Sequence, residues 1–481
     1  MSIDHSGHTP PKTTGQPSRG RVGVFGIGLA AYWPQFPGLR ERLCGYQAEV
    51  EAHIAGLGLE VVSAGLVDAP LGAQDAARVF AAADLDLILC YVGTYATSSQ
   101  VLPVVQRAKL PVLVLNLQPV DALDYENVDT GEWLANCSTC CVPEISNAFA
   151  RARVQFRVVS GTLRDDPEAW GEIEEWCLAA RAAAALRSSR IGFLGHTYPG
   201  MLDMYSDFTM VSAQTGAHIE VLEMCDLDRC VREAAADEVA EKSRIARETF
   251  TLENVSDSDL EWAARVAAGL DRMVEGFTLN GLTYYYRGLD GNPYERLGAG
   301  VILGNSLLTA RGIPASGEGD LKTCLAMMIL DRLGAGGSFT EFYAMDFREN
   351  FLLMGHDGPG HLAITDRKPV LRGLGLYHGK RGSGVSVEFN VKTGPVTLLA
   401  MTQTAAGSLK MITAQGVSEP GPTMKIGNTN SRLRFPLGPR EFVNRWCAEG
   451  PTHHCALGVG YVDRTIAKLG ELLQIPVVSV C

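Results

Sequence analysis

The sequence predicts an α/β protein of two doubly wound parallel-sheet domains, followed by a mainly antiparallel, barrel-like C-terminal β domain. Three observations predict it. From residue 21 onward, short apolar strands alternate with helical stretches, the spacing that βαβ units impose. The alternation restarts near residue 188. Beyond Gly334-Ala-Gly-Gly-Ser338, short strands separated by turn residues take over, as in a sandwich or barrel.

Taken in order, residues 1–20 are rich in Ser, Thr, Pro, Gly and His, including His5 and His8, and read as a disordered tail. The first domain, 21–187, opens with a strand at Arg21–Phe25, a Gly-rich turn and a helix over Leu39–Leu57. Strands follow at Leu59–Ser63, Leu85–Val92 and Pro111–Asn116, with a helix at Ala73–Ala82 and another between the last two strands. The Ala-rich helix Ala179–Leu186 closes the domain. The second domain, 188–335, starts with Ser189–Leu194 and His218–Leu222. A long polar helical region over Asp228–Glu248 and Asp257–Glu275 comes next, then a strand at Gly276–Asn280 and helices at Gly300–Leu308 and Asp320–Leu333. The third, 336–481, carries strands at Phe351–Met354, Val385–Asn390, Val396–Met401 and Leu409–Thr413, with no long helix expected before Val462–Leu473.

Composition narrows the function. The 481 residues allow about two to four domains. A formal net charge of -12 argues against a nucleic-acid backbone as partner. No apolar run is long enough for a transmembrane helix, and the N-terminus lacks the apolar stretch of a secretory signal. Several of the twelve cysteines sit in apolar segments, which suits free thiols in a reducing cytoplasm. Cys137, Cys140 and Cys141 form a C-x-x-C cluster, but no second pair with zinc-site spacing follows.

Gly26-Ile-Gly-Leu-Ala-Ala31 nearly fits a dinucleotide fingerprint. The acidic residue expected after the second strand is missing, and Pro34 and Pro37 fall where a helix should start. A stronger pattern lies later. Glu318 is flanked by Gly317 and Gly319 just before an apolar helix. Asp320 can act alone as that helix's N-cap, which leaves Glu318 for another role. Glu341 lies in an apolar, aromatic stretch, where a buried charge wants a partner or a metal. His356 ends an apolar run, and His453 and His454 sit in a Gly/Pro turn. Each has a bland reading: a helix cap, a core histidine, a surface pair. Together Glu318, Glu341, His356 and His454 make an oxygen/nitrogen donor set suited to Mn²⁺, Co²⁺ or Mg²⁺, with positions left for substrate.

Five segments occur in a fixed order: Gly317-Glu-Gly-Asp-Leu-Lys-Thr323, Phe339-Thr-Glu-Phe-Tyr343, Gly355-His356, Thr393-Gly-Pro395 and Thr452-His453-His454. They resemble the L-arabinose isomerase family and, more distantly, the L-fucose isomerases, over about residues 300–460. The resemblance implies a Mn²⁺-dependent aldose–ketose isomerase with two α/β domains and a β domain. It also implies a homo-oligomer, trimer or hexamer, with the active site between neighbouring subunits. Glu318, Glu341, His356 and His454 would be the metal ligands. Glu318 and Glu341 would also be the acid/base pair that moves a proton through an enediolate.

The chain departs from the family in its first domain. The family's His- and Arg-containing stretch is replaced by Ser138-Thr-Cys-Cys-Val-Pro-Glu144, and its aromatic-and-Gln segment by Ala30-Ala-Tyr-Trp-Pro-Gln35. A sugar other than L-arabinose is therefore expected. Candidate substrate-side residues are Trp33, Gln35, Tyr95, Gln118, Met201, Tyr284 and His453. Two competing readings are a non-catalytic sugar-binding or regulatory relative and a nicotinamide oxidoreductase.

Overall fold

The computed structural model describes residues 20–287, 291–374 and 384–481. The expected tail, with His5 and His8, lies outside the described residues except for Gly20.

Strands β1 (Arg21–Ile27), β2 (Glu60–Val67), β3 (Leu87–Tyr91), β4 (Val112–Gln118) and β5 (Phe156–Thr162) form one parallel sheet in the order β2-β1-β3-β4-β5. β3 reads Leu-Ile-Leu-Cys-Tyr and is buried throughout, as a strand covered on both faces must be. Helices Leu39–Gly56 and Pro167–Arg187 cover one face. Pro70–Ala82 and Val142–Arg151 cover the other. After β1 the chain makes a short turn at Ala30–Tyr32, and the helix begins only at Leu39. A Cβ on Gly28 would lie 2.9 Å from the Trp33 ring. This glycine makes room for a side chain of its own domain, in place of the nucleotide-binding helix start that the fingerprint requires.

The second parallel sheet takes β6 (Arg190–Gly195) and β7 (His218–Leu222). After β8 (Thr251–Glu253), which joins another sheet, it adds β9 (Gly281–Tyr285) and β10 (Ala315–Ser316), in the order β10-β9-β6-β7. The strand expected at Gly276–Asn280 is displaced. The helix Asp257–Gly276 runs to its end there, and Thr278 turns left-handed at φ +53°. The N–H of Leu279 closes the helix on the Val274 carbonyl, and pairing starts at Gly281. The first polar helical region divides at Ala234–Ala235 into Met224–Glu233 and Ala236–Thr249, where Glu238 accepts the Ala235 N–H.

The last third holds β11 (Ser338–Asp346), β12 (Phe351–His356), β13 (Val370–Leu374), β14 (Gly384–Glu388), β15 (Gly394–Gln403), β16 (Leu409–Glu419), β17 (Thr429–Arg434), β18 (His454–Val459) and β19 (Val477–Ser479). Pairings β15-β18-β11-β12-β17-β16 close back on β15, which makes an antiparallel barrel with β19 added in parallel beside β16. A helix at Pro439–Ala448 interrupts the stretch expected to be free of helices. Proline at its first turn and buried Phe442 and Trp446, one turn apart, specify it. β13 pairs with β14 and, in parallel, with β8.

Candidate active site

Polar side chains converge where the carboxyl ends of the second sheet meet barrel strands β11, β12 and β18. Open α/β sheets offer their ligand crevices at such strand ends. Glu318 follows β10. Its backbone is left-handed at φ +60°, and Gly319 follows at φ +71°. The Tyr198 N–H donates to the Glu318 carbonyl at 2.9 Å, and the Gly319 N–H donates to Tyr284 O at 2.9 Å. A Cβ on Gly319 would sit 2.6 Å from the His196 carbonyl oxygen. A non-glycine residue in this conformation costs about 1–2 kcal/mol, and such strain gathers at functional sites.

On the barrel side, Glu341 of β11 stands opposite Gly355 of β12 and His454 of β18. His356 follows Gly355, and the Phe339 ring lies 4.5 Å from the His356 ring and 4.3 Å from that of His454. The ring nitrogens are set by their partners. His356 Nδ1 faces the Asp357 carbonyl at 2.9 Å, and His454 Nδ1 faces Asp320 Oδ2 at 3.0 Å. A carbonyl and an ionised carboxylate only accept, so both Nδ1 atoms donate. Their Nε2 atoms lie 3.2 Å apart. Glu341 Oε1 lies 4.0 Å from His356 Nε2. Glu318 Oε2 lies 3.7 Å from Nε2 of both His453 and His454. This oxygen is buried and has no hydrogen-bond partner among the described residues.

Ring nitrogens and carboxylate oxygens brought this close together form a donor set that a cation among them would join. The donor atoms of Glu341, His356 and His454 all lie within 4.8 Å of one another, as do those of Glu318, His453 and His454. The residues thus fit a divalent ion bound by nitrogen and oxygen. Asp320 fixes the His454 ring, while its side chain also accepts from the Thr323 N–H at 3.0 Å and the Thr323 hydroxyl at 2.7 Å. It is both N-cap and histidine partner.

Burial pushes the Glu341 carboxyl up; His454 and His453 pull it back, and Glu318 and Asp357 push the same way as burial. Burial would also raise Asp320, but the hydrogen bond and charge of His454 outweigh it and hold that group low. For His453 burial opposes the charge, yet Glu318 and Asp203 lift it to about 9.

The structure brings Glu318, Glu341, His356, His453 and His454 together. Tyr284, buried in β9, adjoins the Glu318 loop, and Met201 lies in the loop after β6. Trp33, Gln35, Tyr95 and Gln118 lie at the other sheet, the first, in or just beyond the carboxyl ends of its strands. Trp33 Nε1 donates to Asp68 at 2.8 Å, Gln35 to the Ala31 carbonyl at 2.7 Å and Gln118 to the Val120 carbonyl at 2.6 Å. Tyr95 packs on the core of that sheet. None of the four bonds to the His/Glu cluster among the described residues. Cys137 Sγ and Cys140 Sγ lie 2.8 Å apart while Cys141 turns towards the Thr94 carbonyl. Burial pushes the Cys137 thiol up to about 12, which opposes a reactive thiolate. No helix among the described residues is long and apolar enough to cross a membrane.

Two groups at the site carried weak signals or none. Lys322 is a lysine inside an apolar helix, 1% exposed, an oddity the sequence displays. Asp203 meets His453 across a separation of 250 residues, and no local pattern marks it.

Residues 336–476 match the family model of the L-arabinose isomerase C-terminal domain. A sulfoquinovose isomerase from Alkalicoccus urumqiensis is 24% identical over 302 residues, 61% of this chain and 66% of that protein. One from Priestia aryabhattai is 20% identical over 402 residues, 81% of this chain and 84% of its own. An L-arabinose isomerase from Vibrio parahaemolyticus is 22% identical over 425 residues, 82% of this chain and 80% of its own.

Proposed function

We propose that this chain, a divergent relative of the L-arabinose isomerases, interconverts an aldose and its ketose at the Glu318, Glu341, His356 and His454 cluster. The observation that carries the reading is the pair of Nε2 atoms 3.2 Å apart whose Nδ1 atoms both face acceptors. A divalent ion of the Mn²⁺ class, held by these four residues, would supply Lewis-acid stabilisation of the negative charge that develops on the sugar oxygens. The chain's own residues do the rest. Glu318 and Glu341 approach the centre from different elements: one takes the proton from C2 and returns it to C1, and the other passes the hydroxyl proton from O2 to O1, which moves the carbonyl to C2. Phe339 and the buried imidazoles exclude water from the base of the site.

The sugar in this reading is a sulfoquinovose-type substituted hexose. Support comes from two relatives named for that sugar and from the altered stretch Ser138–Glu144. The working form is a cytoplasmic homo-oligomer of chains with domains 21–187, 188–335 and 336–481. There Trp33, Gln35, Tyr95 and Gln118 of one copy address the sugar held by another. The test is a panel of sulfoquinovose, L-arabinose, L-fucose and other aldoses with Mn²⁺ in D₂O, read by ketose formation and by deuterium at the migrating carbon. Ketose from no aldose while metal is bound would leave a sugar-binding relative in its place. Ketose without solvent deuterium would replace proton transfer by a hydride shift. A kcat/KM on L-arabinose of about 10⁴ M⁻¹s⁻¹ or more would sink the substrate assignment.

A further inference from the structure

The two adjacent histidines at the start of β18 are held from the same short helix by different routes. His454 is held directly: its Nδ1 lies 3.0 Å from Oδ2 of Asp320, the N-cap of the helix Leu321–Arg332. His453 is held by Asp203. One carboxylate oxygen, Oδ2, accepts both the His453 backbone N–H at 2.9 Å and ring Nδ1 at 2.7 Å. With the backbone and the ring fastened to one point, the imidazole cannot turn about its own axis without breaking a charge-assisted hydrogen bond. Its Nε2 is left facing Glu318 Oε2 at 3.7 Å.

Asp203 itself lies on a short turn, Leu202–Met204, in the loop that follows β6. A loop position one-third exposed is a poor anchor unless something fixes it. Lys322 does so. From the first turn of the same helix, its ammonium donates to Met204 O and Tyr205 O at 3.1 Å each and to Ser206 Oγ at 2.9 Å. All three protons of the ammonium are thereby used on the residues that immediately follow Asp203. One helical turn thus sets both rings: Asp320 fixes His454, and Lys322 fixes the loop whose Asp203 fixes His453.

We propose that Asp203 is a positioning residue of the isomerase site. It occupies Nδ1 of His453 so that Nε2 alone addresses Glu318 and the oxygen end of the sugar. This rests on the isomerase reading. If Asp203 merely fastened a loop, its removal would disturb folding or sugar affinity and leave turnover untouched.

The experiment compares wild type with Asp203→Ala and with Asp207→Ala, a control in the same segment that caps the next helix. In Asp203→Ala kcat should fall by about 10–100-fold, the usual worth of an orienting partner, with KM and bound Mn²⁺ unchanged. Asp207→Ala should keep its kcat. In ¹⁵N-histidine protein loaded with diamagnetic Mg²⁺, one low-field ring N–H proton, assigned by its loss in His453→Gln, should vanish in Asp203→Ala. An unchanged kcat in Asp203→Ala, an effect on KM alone, or survival of that ring proton would overturn the proposal. If wild type converts no aldose, the isomerase reading falls by itself, and the ring proton still decides whether Asp203 holds His453.

Discussion

Two regions of this molecule gather polar side chains at the carboxyl ends of parallel strands, and they differ in where the donor atoms point. At the first sheet, Trp33, Gln35 and Gln118 each bond to a group of their own domain. At the second sheet, Nε2 of His356 lies 3.2 Å from Nε2 of His454, and Glu318 Oε2 lies 3.7 Å from two imidazoles. The three side chains of the first group have partners as they stand. The second group turns its donor atoms towards a common centre, where the proposed divalent ion would join them. A candidate cation site can therefore be read from one chain by donor atoms that converge, whereas side chains that meet a sugar at low cost look like ordinary surface residues until the sugar is present.

The contrast breaks most decisively at the carboxylates. Glu318→Gln and Glu341→Gln keep size and one oxygen but remove the base, so turnover should fall by about 10²–10⁴-fold even with metal bound. Activity close to wild type in both variants would move the proton carriers elsewhere. Asp320→Asn should weaken Mn²⁺ binding by about 10–100-fold, because His454 loses the carboxylate that sets its tautomer; titration with metal and chelator measures this. At the first sheet, Gln35→Ala should raise KM about tenfold, the worth of one hydrogen bond, and leave metal content alone. Mixing that variant with Glu318→Gln should recover activity beyond either one. An unchanged KM, with no recovery on mixing, would make that face structural.

The smallest effect belongs to the first domain's ion pair. Arg42 holds the Glu132 carboxylate low through two hydrogen bonds of 2.5 and 2.9 Å. Because the folded-state pKa is the lower one, the stabilisation is present above the unfolded value of about 4.3 and fades as pH falls through the folded value. Both side chains are more than a third exposed, so Glu132→Gln should cost under about 1 kcal/mol at pH 7. Urea unfolding at pH 7 and pH 3 should show the difference shrinking towards zero at the lower pH.

What was legible in the sequence follows the same division. β1, β3 and β4 stand out because strands covered on both faces must be apolar along their length. The helix at Pro439–Ala448 was missed because its apolar side is narrow, with Phe442 and Trp446 as its large buried residues. The Gly276–Asn280 strand was misplaced because a left-handed closing turn at Thr278 has no strong composition signal. Glu318, Glu341 and His356 were visible as polar residues beside apolar runs or between glycines. Asp320 was visible only as a helix cap, since its second partner lies 134 residues away. Asp203 had no local signal at all.

The small sheet of β8, β13 and β14 has a consequence for how the chain is made. β8 belongs by position to the second α/β domain, yet its partner is β13: Thr251 pairs with Val370 and Glu253 with Arg372. Arg372 then bonds Glu253 at 2.6 Å and Glu388 at 2.6 and 2.9 Å. On a ribosome adding about 5–20 residues per second, β8 emerges roughly 6–24 s before its partner exists. During that interval the middle of the chain carries an unpaired edge, the kind of element that recruits strangers. The last third, for its part, cannot complete this sheet if it is produced alone. Non-local pairing of this sort slows folding. It also makes the central and C-terminal parts a single cooperative unit, so a cut between them should cost solubility before it costs any residue of the active site.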